Sequence, residues 1–193
     1  MVESGADAIG LVFYPASPRN LTLSVAQKIA SSVPAFVTVV ALFRNPTVGL
    51  VQQVCKQVRP DMLQFHGNET AEFCEQFNRP WIKALGMSDH DQPADVLAEA
   101  KKFPAARGLL LDSHGEAKAG GSGATFDWGL IPAELRGRFI LAGGLNPSNV
   151  AAAVATAQPW AVDVSSGVEN LPGIKSRYKI NAFVNAARNP ANV

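Results

Sequence analysis

An α/β protein of the (β/α)8 TIM-barrel type is the fold class that the 193-residue sequence predicts, and three observations predict it. Short apolar runs recur along the chain, each followed by a longer amphipathic stretch. Several runs, such as FVTVVALF (36–43) and GLLLD (108–112), are nearly continuous in apolar residues. Strands buried on both faces of a parallel sheet have that pattern. The glycine-rich chemistry lies late in the chain, where the last loops of such barrels hold phosphate, whereas an open doubly wound sheet brings its phosphate loop near the first strand.

The elements follow in order. Residues 1–5 read as the tail of a helix that Gly5 terminates. A helix tail at that point implies a preceding strand and most of a helix. The expected organisation is therefore one barrel domain over residues 1–193, with the first strand and most of the first helix absent. Strands are expected at 8–13, 36–43, 62–65, 81–85, 108–112, 139–142 and 160–164, with exposed backbone edges on the first and last. Helices are expected at 24–32, 47–58, 69–77, 93–102, 132–135, 147–157 and 179–187. Asn45-Pro46 and Asn146-Pro147 each place a capping side chain before a proline that a first helical turn tolerates. Arg59-Pro60 and Arg79-Pro80 end helices, because the residue before proline is pushed out of the helical region.

Composition excludes several function classes. Lys plus Arg number 17 against 16 Asp plus Glu, and the net charge of +1 comes without a basic or acidic block. No footprint for nucleic acid or an anionic membrane results. Apolar runs stay well below the roughly 20 residues that span a bilayer, and the first residues lack a leader pattern, so a cytoplasmic protein is expected. Cys55 and Cys74 lie in amphipathic helical patterns and read as buried free thiols. His90 and His114 form no ligand pattern, so no metal is expected. Dinucleotide and ATP-binding glycine motifs are absent.

Candidate site residues cluster at predicted strand ends. Gly143 and Gly144 follow an apolar strand, and the free N–H groups of such a turn receive phosphate. Ser166 and Gly167, after AVDV, offer donors on the next unit. Asp112 ends GLLLD on the face of Leu110, where a carboxylate stands over the pocket as an acid or base; the alternative is a cap for the loop that follows. That glycine-rich stretch, 113–123, is long enough to cover a ligand. Arg19, after a loop stiffened by Pro15 and Pro18, suits bidentate recognition of a carboxylate, or else is a solvated surface residue. Gln64 and His66 alternate at a strand end as pocket-lining residues, and Asp163 inside AVDV needs a pocket or a partner.

The segments GADAIGLVFYPASPR, LQFHGNE, LLLDS, GGSGATFDW, ILAGGLNPSNV and AVDVSSGVE, in that order, resemble the phosphoribosylanthranilate isomerase family over essentially the whole chain. The resemblance implies an Amadori rearrangement of a phosphosugar, N-(5-phosphoribosyl)anthranilate, without a cofactor, by a monomer or a homodimer. It implies Asp112 as general acid, Arg19 on the anthranilate carboxylate, and Gly144, Ser166 and Gly167 on the phosphate. It also places Asp163 near the linking nitrogen. The family's general base is a cysteine ending a first strand of Lys-Ile-Cys-Gly type, and the sequence starts after that segment. The chain is accordingly expected to bind phosphoesters poorly and to isomerise slowly or not at all. Two alternatives remain: a phosphoester-binding barrel without turnover, and a lyase resembling indole-glycerol-phosphate synthase, for which Lys83 is the evident catalytic candidate.

Overall fold

A computed structural model describes residues 1–113 and 125–190. Its principal sheet has seven strands in strict sequential order: β1 (Ala8–Phe13), β2 (Thr38–Phe43), β3 (Met62–Phe65), β4 (Trp81–Gly86), β5 (Leu109–Asp112), β6 (Phe139–Leu141) and β7 (Ala161–Val162). A short antiparallel hairpin follows, β8 (Glu169–Leu171) and β9 (Ile174–Lys175). The α-helices are α1 (Leu23–Ser32), α2 (Val48–Gln57), α3 (Ala71–Glu75), α4 (Pro93–Ala100), α5 (Val150–Ala157) and α6 (Arg177–Arg188). No helix among the described residues is long and apolar enough to cross a membrane.

The chain divides into two compact units, Met1–Lys83 with Ala105–Arg107, and Ala84–Pro104 with Gly108–Val193. In the first, β1 pairs in parallel with β2 and β2 with β3. Alternation sends Ile9, Leu11 and Phe13 to one face of β1, where all three are buried. Phe13, Phe43 and Phe65 stack in succession at centroid separations of 5.5 and 6.0 Å, and Phe73, Phe77 and Trp81 close around Phe65. This aromatic layer is the core beneath the helices of that unit. In the second unit β5 pairs in parallel with β6 and β6 with β7. Leu110 packs with Ala84 and Ala142 on one face, so Asp112 ends β5 on the face of that cluster, as the alternation of GLLLD predicts.

Helix starts differ from expectation in an instructive way. Thr22, Thr47, Thr70 and Ser176 are the capping residues, each hydroxyl accepting the backbone N–H three residues on. Asn45 does not cap α2: it takes φ 49° and its Oδ1 accepts the N–H of Asn68. Asn146 likewise stands before α5 and serves a local turn, accepting the N–H of Ser148. The 132–135 segment forms a 3-10 turn (Ala133–Leu135), and the tail at the start is a 3-10 turn (Val2–Ser4). Gly5 ends that tail with φ 86°, the left-handed geometry that glycine adopts without strain. β2 starts at Thr38 rather than 36 because Phe36 takes φ 69°, which an extended strand cannot contain.

Candidate active site

In the first unit the loop after β1 folds back on its own strand. Ser17 donates its N–H to Tyr14 O, Leu21 donates to Val12 O, and Ser17 Oγ accepts the Arg19 N–H at 3.2 Å. Arg19 is half-buried there. Gln64 is buried in β3, and its Nε2 lies 3.2 Å from His66 Nδ1. The His66 N–H extends the β2–β3 ladder by donating to Phe43 O at 2.8 Å.

Behind these residues lies a staple that sequence reasoning missed. Buried Glu69 accepts the N–H groups of Asn45 and Gly67 at 2.7 and 2.9 Å, and pairs with Lys83 Nζ at 3.2 Å. Lys83 also donates to Gly67 O, and both side chains of the pair are at most 4% exposed. A lysine inside the apolar strand WIKAL was the available sign, since a buried ammonium requires a partner. Its engagement leaves Lys83 tied to a loop, which counts against the lyase role that sequence alone kept open.

The second unit gathers six of the expected residues. Asp112, half-buried, ends β5. The chain turns after β6 through Gly143 (φ 84°) and Gly144 (φ 65°), both left-handed. A Cβ on Gly143 would stand 2.2 Å from the backbone N of Ser113, so the β6 loop lies directly against the end of β5. Asp163 donates its N–H to Leu141 O at 2.8 Å, but β7 ends at Val162. Asp163 is thus an exposed residue just past the strand end, not a residue within a strand. Ser166 and Gly167 form a 3-10 turn (Ser166–Val168), and a Cβ on Gly167 would meet Leu145 O at 1.9 Å. Backbone of the two late loops is therefore in contact, as a shared cradle of N–H donors requires. The predicted covering stretch falls largely on residues 114–124, outside the described residues, as does His114. Among the described residues no group of three or more His, Cys, Asp or Glu is placed to hold a metal ion.

Both cysteines are free and helical. Burial pushes the Cys74 thiol up from its ordinary 9.0 to about 12, against the opposing pull of Lys83. A raised value in the native state means that stability is complete below pH 9 and is lost as pH rises through 12. Iodoacetamide at pH 8 should accordingly leave Cys74 unmodified in native protein and alkylate it after denaturation, as peptide mass spectrometry would show. Rapid native alkylation would contradict the burial.

Parallel strands alternating with helices, with a carboxylate and glycine-opened loops at the strand ends, define a protein of the (β/α)8-barrel class. The family model described as N-(5'phosphoribosyl)anthranilate (PRA) isomerase matches residues 1–186. The chain belongs to the phosphoribosylanthranilate isomerase family. It is 50% identical over 188 residues to N-(5'-phosphoribosyl)anthranilate isomerase of Pseudomonas fluorescens, covering 97% of this chain and 88% of that protein. Phosphoribosyl anthranilate isomerase of Thermotoga maritima superposes with a TM-score of 0.84 at 38% identity, over 97% of this chain and 90% of that one. A phosphoribosyl anthranilate isomerase in complex with reduced 1-(o-carboxyphenylamino)-1-deoxyribulose 5-phosphate superposes with a TM-score of 0.81 at 38% identity, with the same coverage.

Proposed function

We propose that the chain converts N-(5-phosphoribosyl)anthranilate to 1-(o-carboxyphenylamino)-1-deoxyribulose 5-phosphate, as a cytoplasmic monomer or homodimer serving tryptophan biosynthesis. The observation that carries this reading is that, in a member of this family, the end of β5, where Asp112 stands, lies against the glycine-opened β6 loop through Ser113 and Gly143. Asp112 acts as the general acid that protonates the ribose ring oxygen and opens the ring. Ring opening leaves a C=N⁺ bond at C1′; a base then accepts the C2′ proton to give the enolamine, and a proton returned to C1′ gives the ketone. Each step is a proton transfer, so no cofactor enters. Arg19 takes the anthranilate carboxylate by a forked, charge-assisted contact. Gly143, Gly144, Ser166 and Gly167 supply N–H and hydroxyl donors to the phosphate. Gln64 and His66 line the pocket, and Asp163 stands near the linking nitrogen.

A second reading, phosphoester binding without turnover, is favoured by one observation. Neither Cys55 nor Cys74 ends a strand, and the Cys74 thiol stays protonated at neutral pH, so neither supplies the strand-end thiolate base that the family resemblance implies. One pair of measurements separates the readings: turnover of N-(5-phosphoribosyl)anthranilate, and calorimetric binding of the reduced product. Turnover supports the isomerase, and binding without turnover supports the second reading. Failure of both would end the phosphate-site assignment.

A further inference from the structure

The hairpin that follows the Ser166–Gly167 turn has no counterpart in the sequence-based expectations, and its chemistry is directed back at that turn. Pro172 and Gly173 form a two-residue connection in which Gly173 takes φ 82°, as a turn with proline first and glycine second demands. The resulting register pairs Glu169 with Lys175. Lys175 Nζ then reaches Ser165 O at 2.8 Å, Ser165 Oγ at 3.3 Å and Glu169 Oε1 at 2.8 Å. Around it, Lys179 Nζ donates to Glu169 O at 2.7 Å, and the Ser176 N–H donates to Val168 O at 2.8 Å.

From this geometry we infer that Lys175 is a positioning residue for the phosphate site, setting the direction of the Ser166 N–H. The inference rests on the phosphate-binding reading given above. An ammonium has three donors, and Lys175 faces three acceptors, two on Ser165 and one on Glu169. It therefore acts through the loop and has no donor left for an anion. Every peptide bond among the described residues is trans, so the C=O of Ser165 and the N–H of Ser166 point in opposite directions. Holding that carbonyl on Lys175 aims the Ser166 N–H away from the hairpin. From the other side the backbone at Gly167 abuts Leu145 O, which limits rotation of the turn. Glu169 balances the ammonium, so the pair orients a dipole without adding net charge to the site.

The experiment is calorimetric titration of the full chain and its Lys175→Met variant with inorganic phosphate, with the reduced product, and with anthranilate, which carries no phosphate. Thermal melting is recorded in parallel. Lys175→Met is expected to raise the Kd for phosphate and for the reduced product about tenfold, the effect of one charge-assisted hydrogen bond, and to leave anthranilate binding unchanged. A purely structural role would weaken all three ligands together and lower the melting temperature, and that result would overturn the inference. So would an unchanged phosphate affinity. If Lys175→Met does not fold, Lys175→Arg and Lys175→Gln keep a donor toward Ser165. Phosphate affinity should then fall in the order wild type, Arg, Gln, and equal affinities would refute the role. A wild-type chain that binds neither phosphate nor the reduced product removes the phosphate reading itself, and this inference with it. Wild-type binding that survives Lys175→Met removes this inference alone.

Discussion

Asp112→Asn should lower kcat for isomerisation by about 10²- to 10⁴-fold, the range that a positioned general acid contributes. The amide matches the carboxyl group in size and keeps its place at the end of β5, but it has no acidic proton to deliver to the ribose ring oxygen. Binding of the reduced product should stay within about threefold of wild type, because the transferred proton belongs to the transition state and not to the ground state. A parallel loss of binding would mean that Asp112 orders the site rather than serving as its acid. Turnover at the wild-type rate would place the acid elsewhere. Steady-state kinetics and calorimetry on one preparation distinguish these outcomes.

Gly143→Ala should destabilise the fold by about 2–4 kcal/mol, within the severe range for single substitutions. Two penalties combine. The left-handed φ of 84° costs an L-residue about 1–2 kcal/mol, and the new Cβ would fall 2.2 Å from Ser113 N and 2.4 Å from Ser113 Oγ. Relief requires the β6 loop to retreat from the end of β5, so phosphate affinity and kcat should fall together. Gly167→Ala should behave similarly, since its Cβ would meet the carbonyl oxygen of Leu145 at 1.9 Å. Gly49→Ala is the control: it lies within α2 with no atom inside 4 Å, and should gain up to about 1 kcal/mol from helix propensity. Urea midpoints of the three variants provide the test. A Gly143→Ala protein as stable as wild type would show that the loop does not press on β5.

These substitutions also mark what the sequence could disclose. All seven strands were visible because parallel strands covered on both faces need continuous apolar runs; 8–13 and 62–65 agree in both limits. The strand-end residues of β5 and β6 were visible for the same reason, since alternation and a glycine pair are local signals. Contacts between distant residues were not. Glu69 reads as an ordinary helix-start acid until folding sets it against Asn45 and Lys83. Lys175 carries no local sign of its partner, since only the Pro172-Gly173 turn folds it onto Ser165. Pro172-Gly173 is itself a turn signal, but the strands it joins span only three and two residues, too short to carry a periodic pattern. Asn45 yields the cap of α2 because threonine and asparagine both cap and Thr47 stands nearer the helix.

The sequential strand order has a consequence for how the chain is made. Each strand of the principal sheet lies beside the one synthesised just before it, so no strand must wait for a partner encoded far downstream. On the ribosome, where residues emerge at about 5–20 per second, β2 can dock on β1 before β3 has appeared. Growth by accretion keeps loop-closure distances short and gives the newest strand edge a partner soon after it is exposed.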